Sequence, residues 1–199
     1  MKVLMLGSGA WGTALANLLC ENGHAVTLWN KDAARAAEMA ATRRNSRLRD
    51  VELHPTMTFS ASFEAAAAYD MVVFAVPSFA VRGTAAAVKP YLQPGTILVS
   101  VAKGIEPHTG LRMSQIIAQE TGMCAAALSG PSHAEEVAKG IPTGCVAACA
   151  EISVAEAIQD AFMNNSFRVY VSTDTVGVEL SAAMKNVVAL CAGASDGLG

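Results

Sequence analysis

A glycine-rich turn near the N-terminus constrains the fold of this chain more than any other feature. An apolar run from Val3 to Leu6 leads into Gly7-Ser8-Gly9-Ala10-Trp11-Gly12, which opens a stretch rich in alanine and leucine. A second apolar run, from Ala25 to Trp29, follows Asn22-Gly23. A strand, a glycine turn, a helix and a second strand within about thirty residues are typical of the first half of a dinucleotide-binding fold.

Each glycine of this turn has its own expected role. Gly7 permits the tight turn out of the strand, Gly9 lets a pyrophosphate approach its backbone, and Gly12 lets the helix pack against the sheet. The first helical turn also has unpaired N–H groups and the positive end of the helix dipole, and both favour a phosphate. We therefore expect Gly7, Gly9 and Gly12 to belong to a cofactor site.

A signal peptide is the main alternative for the same segment. Lys2 would be its charged start, and Val3 to Cys20 its uncharged core. Three glycines within six residues interrupt that core, and its Leu19-Cys20 end lacks the small-residue pattern of a cleavage site. These features favour the cofactor turn.

Length and composition indicate a globular chain of one domain, or of one domain and part of another. Of the 199 residues, 52% are apolar and 16% are charged. The net charge of −3 gives no field that would attract nucleic acid. After the glycine turn, no uncharged apolar run reaches membrane-spanning length, so we expect no membrane span. The basic cluster from Arg43 to Arg49 is interpreted as a solvated loop.

The cysteines indicate reduced thiols and therefore a cytoplasmic location. There are five, an odd number without the spacing of a disulfide framework. Cys145 and Cys149 lie in an apolar run with no histidine close in sequence, so both are interpreted as core residues and no metal site is expected.

Strand and helix patterns alternate along the whole chain. This alternation predicts an α/β fold with a mainly parallel, doubly wound sheet of the Rossmann type. After the first two strands, further strands are expected at 57–59, 70–76, 96–101, 125–128, 143–150 and 167–171. A basic loop from Arg43 to Pro55 and an alanine-rich helix from Ser62 to Tyr69 separate the earlier strands, and one long apolar helix is expected from Asp174 to about Ala192.

The residues after the second strand bear on the choice between NADP and NAD. An NAD-specific site usually places Asp or Glu near the end of this strand, to bind the ribose 2′-hydroxyl. Here Trp29 and Asn30 occupy that place, and Lys31 follows with an ammonium suited to a 2′-phosphate. The pattern favours NADP, although Asp32 could turn inward and Lys31 could be a plain solvated lysine.

Three later segments are candidates for substrate binding. Lys103 follows a buried strand, and ligands of such sheets bind outside the carboxyl ends of the strands. The turn from Ser129 to Ser132 offers backbone donors and hydroxyls to a phosphate, or Ser132 is an ordinary helix cap. Lys185 lies among apolar residues, where it is either a snorkelling surface residue or a desolvated lysine suited to proton transfer.

Several motifs in order resemble the bacterial type of NAD(P)-dependent glycerol-3-phosphate dehydrogenase, over essentially the whole chain. They comprise Gly-x-Gly-x-Trp-Gly-Thr-Ala-Leu-Ala (7–16), Asn-Gly-His-x-Val (22–26), Val-Pro-Ser (76–78), Lys-Gly-Ile-Glu (103–106), Leu-Ser-Gly-Pro-Ser-x-Ala-Glu-Glu-Val-Ala (128–138), Pro-Thr (142–143), Phe-Arg-Val-Tyr (167–170), Gly-Val-Glu-Leu (177–180) and Lys-Asn-Val (185–187).

The resemblance implies reduction of dihydroxyacetone phosphate to sn-glycerol 3-phosphate with NADPH or NADH, for phospholipid synthesis. It places Ala10, Trp11, Lys31, Lys103 and Ala134 at the cofactor. It places Lys103, Gly130, Ser132 and Lys185 at the substrate. Lys185 would be the proton donor during reduction. A homodimer is a candidate assembly.

Two departures from the family pattern affect these expectations. The segment from Asn45 to Pro55 lacks the Tyr-Leu-Pro-Gly pattern common in the family. The resemblance also implies a dinucleotide-binding domain at 1–172 and, at 173–199, only the first helix of a helical substrate domain. That helix would then expose apolar surface. Two alternatives stay open: a nucleotide-binding module without catalysis, and a reductase of another keto or hydroxy acid, such as a ketopantoate-type enzyme.

Overall fold

An eight-stranded sheet and the helices around it make up the computed structural model, which describes residues 1–64 and 69–199. The strands in chain order are β1 (Lys2–Leu6), β2 (Ala25–Trp29), β3 (Arg44–Asn45), β4 (Leu48–Glu52), β5 (Thr58–Ser60), β6 (Met71–Phe74), β7 (Ile97–Ser100), β8 (Ala125–Ser129), β9 (Thr143–Ala148) and β10 (Phe167–Ser172). The helices are α1 (Ala10–Glu21), α2 (Ala33–Thr42), α3 (Val81–Val88), α4 (Met113–Thr121), α5 (Ala134–Ala138), α6 (Ile152–Phe162) and α7 (Thr175–Leu198).

The sheet confirms the predicted doubly wound topology. Its strand order is β5-β2-β1-β6-β7-β8-β9-β10, and the first six of these strands are mutually parallel. The order reverses between β1 and β6, which is where ligands of such sheets bind. β9 runs antiparallel to β8, and β10 is parallel to β9. The sheet is therefore a parallel dinucleotide-binding sheet extended at one edge by a reversed pair.

Both faces of the sheet are buried, which explains the continuous apolar runs in the sequence. In β1, Val3 and Met5 belong to one core, whereas Leu4 and Leu6 belong to the other. The first core also contains residues of α1 and α6, and the second contains residues of α3 and α4. Helices on both faces are the arrangement that parallel strands require. The predicted helix from Ser62 to Tyr69 falls largely on residues 65–68, outside the described residues.

The segment from Arg43 to Pro55 is not the solvated loop that the sequence predicted. β3 and β4 form an antiparallel hairpin, and Asn45 and Leu48 are buried. Asn45 Nδ2 donates to the carbonyl oxygen of Ser8 at 3.0 Å and to Thr13 Oγ1 at 2.7 Å. These bonds fasten the hairpin to the glycine turn. The prediction was wrong because single buried side chains, without an alternating pattern, hold this hairpin in place.

The last helix, α7, extends six residues beyond the predicted end at Ala192. Of its residues only Glu179 is buried, while apolar side chains such as Met184, Val188 and Leu190 are at least half exposed. The helix therefore presents the uncovered apolar surface that the sequence predicted. Within the described ranges, α7 is the one helix whose length and apolar composition match those of a membrane span.

Candidate functional site

The glycine turn brings α1 and β1 closer than any side chain would allow. Gly7 has φ 117°, and a Cβ on it would lie 2.8 Å from the carbonyl carbon and oxygen of Ala75. A Cβ on Gly12 would overlap the carbonyl oxygen of Gly7 and approach the Cβ of Ala75 to 2.9 Å. Gly12 therefore sets the position of the first helical turn relative to the end of β1, and Gly7 lets the end of β1 lie against Ala75, after β6.

Gly9 differs from its neighbours because it faces open space. A Cβ on Gly9 would meet no atom within 4 Å. Gly9 is the N-cap residue of α1, and no side chain caps the helix there. The first N–H groups of α1, which have no partner within the helix, are thus available to an anion. This arrangement fits the pyrophosphate of a dinucleotide.

A cleft of about 680 Å³ runs along this turn and unites most of the predicted cofactor residues. Its lining includes Gly7, Gly9, Ala10, Trp11, Lys31, Lys103, Ser132 and Ala134. Gly12 does not line the cleft and acts beneath it through packing. Pro77 and Phe79, which follow β6, lie across from the turn. The cleft is therefore at the strand-order reversal of the sheet.

Besides Lys103, three cationic side chains belong to the cleft. Lys31, Arg35 and Arg47 all line it. Asp32 is turned away from the cleft to cap α2, where its Oδ1 accepts from Ala34 N at 2.9 Å. The sequence identified Lys31 but missed both arginines. Arg35 lies in the first turn of α2 and Arg47 between β3 and β4, and no local pattern indicated that either lines the cleft.

Two lysines from distant parts of the chain meet at the turn that follows β8. Lys103 Nζ donates to the carbonyl oxygen of Gly130 at 3.1 Å. Lys185 Nζ donates to the carbonyl oxygen of Ser132, also at 3.1 Å. Lys103 borders the dinucleotide cleft, while Lys185 and Gly130 line a second cavity of about 910 Å³ between this turn and α7. The turn therefore joins the two cavities.

Burial and a neighbouring charge both act on Lys103. Loss of water around its ammonium is the larger cause that lowers the Lys103 pKa, and the charge of Lys185 lowers it further. The ammonium also lies 5.8 Å from the ring centre of Trp11. Burial and the charge of Lys185 therefore act in the same direction on this ammonium group.

The turn itself is held rigidly against β9. A Cβ on Gly130 would overlap the carbonyl oxygen of Gly144 and approach Cys145 Sγ to 3.1 Å. Ser132 is buried and does not cap α5, because His133 is the N-cap residue. Burial raises the pKa of the Cys145 thiol to about 11, which keeps it protonated and inert beneath the turn. Cys149 is also buried, as predicted.

An ion-pair network holds the loop that carries Lys103. Arg82 pairs with Glu106 at 2.7 Å and also with Glu120. The guanidinium of Arg82 lowers the Glu106 pKa to about 2, and Thr109 Oγ1 donates to the same carboxylate. Glu106 thus remains ionised across ordinary pH, and the loop stays fixed beside the cleft. No pattern in the sequence indicated Arg82.

The first testable prediction uses two glycines of the turn. Gly9→Ala fills only open space, so we expect an unchanged melting temperature but NADPH binding that is about tenfold or more weaker, as for one lost charged hydrogen bond. Gly12→Ala forces α1 away from β1, and we expect it to lower stability by about 1–3 kcal/mol. Thermal unfolding and fluorescence titration measure both effects. Equal loss of stability in the two variants would contradict this division of roles.

The second prediction concerns Lys103. Lys185→Met removes a positive charge that disfavours the Lys103 ammonium, so the Lys103 pKa should rise. It should stay below the usual 10.5 because burial, the larger cause, remains. Acetylation of Lys103 as a function of pH, followed by peptide mass spectrometry, measures this. Lys89→Met, at an exposed lysine, serves as the control, and an identical Lys103 profile in all three proteins would contradict the prediction.

Known proteins share this architecture and sequence. The family model described as NAD-dependent glycerol-3-phosphate dehydrogenase N-terminus matches residues 2–155. The glycerol-3-phosphate dehydrogenase (NAD(P)+) of Geobacter sulfurreducens is 47% identical over 204 residues, covering 100% of this chain and 61% of that protein. The corresponding protein of Thermoanaerobacter is 44% identical over 200 residues, covering 100% of this chain and 61% of its own length.

A solved structure agrees with these sequence matches. The crystal structure of glycerol-3-phosphate dehydrogenase from Coxiella burnetii superposes with a TM-score of 0.90 at 32% identity, covering 99% of this chain and 61% of that one. The chain therefore spans less than two thirds of the length of these relatives.

Proposed function

The chain belongs to the NAD-dependent glycerol-3-phosphate dehydrogenase family, and we propose that it serves the interconversion of dihydroxyacetone phosphate and sn-glycerol 3-phosphate with NADPH or NADH. The observation that carries this proposal is the convergence of Lys103 and Lys185 on one turn beside the dinucleotide cleft. A phosphorylated ketone needs an anion site for its phosphate and a cation near its carbonyl oxygen. The turn and its two lysines together suit both needs.

The cofactor part of the proposal rests on the shape of the glycine turn. The open space over Gly9 and the uncapped start of α1 suit a pyrophosphate, with Ala10 and Trp11 in the same wall. Gly12 acts indirectly by setting the helix position, and Gly7 by letting the end of β1 lie against Ala75. Ala134 and Lys103 border the cleft near the substrate turn. When bound, the nicotinamide supplies the hydride that reaches the C2 carbonyl of the substrate.

The substrate part assigns a role to each residue at the turn. Gly130 and Ser132 shape the turn that receives the substrate, and Lys103 lies between this turn and the cofactor cleft. As negative charge grows on the C2 oxygen, the two ammonium groups stabilise it. Lys185 donates its proton to that oxygen during reduction and takes it back in the reverse direction. Each turnover thus transfers one hydride and one proton to the ketone.

The third prediction tests this activity directly. NADPH absorbance should fall when dihydroxyacetone phosphate is added, and Lys185→Met should reduce kcat by about 100-fold or more because general acid catalysis is lost. Lys89→Met is the matched control and should be fully active. Dihydroxyacetone without its phosphate should be a poor substrate.

Other outcomes of this assay would favour the alternatives. Turnover of ketopantoate in preference to the phosphorylated ketone would favour a different reductase. Tight NADPH binding without turnover, also in a version of the protein extended by the relatives' remaining residues, would favour a binding module. Activity that survives Lys185→Met would refute the proton-donor role.

Within this function we propose a preference for NADP over NAD. Lys31, Arg35 and Arg47 line the cleft, and the Asp32 carboxylate caps α2 and lies 4.0 Å from Arg35 Nε. Among the described residues, the cations that line the cleft outnumber its carboxylate, that of Glu135, and this balance favours a ribose 2′-phosphate. The hairpin that carries Arg47 is fastened to the glycine turn through Asn45, so this guanidinium is held near the cofactor.

The fourth prediction measures this preference. Arg47→Ala should weaken NADPH binding about tenfold, as expected for one lost hydrogen bond between charged groups, and should leave NADH binding unchanged. Arg49→Ala is the matched control, because Arg49 lies on the same hairpin but does not line the cleft. Titration of each protein with both cofactors decides the matter. Equal weakening for NADH and NADPH would contradict a 2′-phosphate contact.

The proposal also covers cellular location, oligomeric state and domain division. We propose a cytoplasmic location, supported by five free cysteines without a framework of disulfides. A homodimer also remains a proposal, and so does the division into a dinucleotide-binding domain at 1–172 and the start of a helical domain at 173–199.

A further inference from the structure

The single buried residue of α7 is a carboxylic acid. Glu179 is 5% exposed, whereas the apolar side chains of the same helix are largely exposed. A buried carboxylate is costly unless its oxygens are bonded and its charge is paired. Its position therefore depends on specific partners and not on general packing.

Those partners lie at the beginning of α4. Ser114 donates to Glu179 twice, from its backbone N at 2.8 Å and from its Oγ at 2.6 Å. Arg112, the N-cap residue of α4, forms an ion pair with the same carboxylate. The positive end of the α4 dipole adds to this attraction. The carboxylate is thus satisfied by one cation and two donors.

The same arginine closes the loop that carries Lys103. Ile105 and Arg112 form a β-bridge, and Glu106 N donates to the carbonyl oxygen of Leu111 at 2.9 Å. Lys103 is two residues before this bridge. Arg112 therefore belongs both to the base of the Lys103 loop and to the binding site of Glu179.

Glu179 and Lys185 are connected through one rigid helix. They are six residues apart on α7, a rise of about 9 Å. Across the described residues, the side chains of α7 that hydrogen-bond to other elements are Glu179 and Lys185. Asp174, the N-cap residue of α7, accepts from Gly177 N of the same helix and so forms no bond to another element. Displacing Glu179 would therefore remove one of the two side-chain anchors of the helix that carries Lys185.

We propose that Glu179 is a positioning residue, which ties the Lys185 helix to the base of the Lys103 loop and so fixes the spacing of the two ammonium groups. This inference rests on the proposed function, in which both lysines act on one substrate. Glu179 touches neither cavity and acts only through Arg112 and Ser114.

The fifth prediction measures the spacing of the lysines without cofactor or substrate. The short amine-to-amine reagent 1,5-difluoro-2,4-dinitrobenzene should join Lys103 to Lys185 in the wild-type chain, as detected by peptide mass spectrometry. In Glu179→Gln, which removes the charge but keeps the size, the yield should fall about tenfold because the effective concentration of one amine at the other falls. Ser114→Ala, a milder change, should give an intermediate yield.

Glu156→Gln is the matched control, since Glu156 is an exposed glutamate of α6 that takes no part in the ion pairs of the Lys103 loop or of α7. It should leave the cross-link unchanged. Circular dichroism and thermal unfolding verify that each variant is folded, and Ser114→Ala decides the question if Glu179→Gln does not fold. Unchanged yields in the folded variants, or no cross-link in the wild type, would overturn the proposal. Failure of NADPH turnover would instead refute the proposed function and leave this result standing.

Discussion

The close contact between the end of β1 and the start of α1 is the constraint on which the rest of the structure depends. A Cβ on Gly12 would overlap the carbonyl oxygen of Gly7 at this contact, and a Cβ on Gly7 would clash with Ala75, which follows β6. Because the helix comes so near, its first N–H groups face the cleft at the point where the strand order reverses. The β3–β4 hairpin is in turn fastened here through Asn45, which brings Arg47 to the cleft.

The second constraint is that the substrate groups come from segments far apart in the chain. Lys103 follows β7, the receiving turn follows β8, and Lys185 comes from α7. Two hydrogen bonds to backbone carbonyl oxygens bring the ammonium groups to one turn. Two ion pairs hold the segments that carry these lysines. Arg82 pairs with Glu106 on the Lys103 loop, and Arg112 pairs with Glu179 on α7. Apolar packing alone would leave α7 weakly fixed, since most of its apolar side chains are exposed.

Local patterns explain why much of this could be predicted from the sequence. The glycine turn, β2 and α2 have strong local signals, and the alternation of strands and helices was enough for the topology. The β3–β4 hairpin was missed because its order comes from the tertiary contacts of Asn45 and Leu48. Arg47 was missed because its hairpin is fastened through Asn45 to Ser8, 37 residues away. Glu179 was missed because its partner Ser114 is 65 residues away. Lys185 was identified from the sequence. Its hydrogen bond to the carbonyl oxygen of Ser132 depends on where α7 packs, which no local pattern indicates.

Hydrogen–deuterium exchange with and without NADPH tests the central claim, that the glycine turn and the start of α1 form a dinucleotide site. Our account predicts slower exchange at residues 8–13 and 29–35, with smaller changes near Lys103 and the turn from Ser129 to Ser132. Exchange that NADPH leaves unchanged at 8–13, or protection confined to α7, would contradict the account.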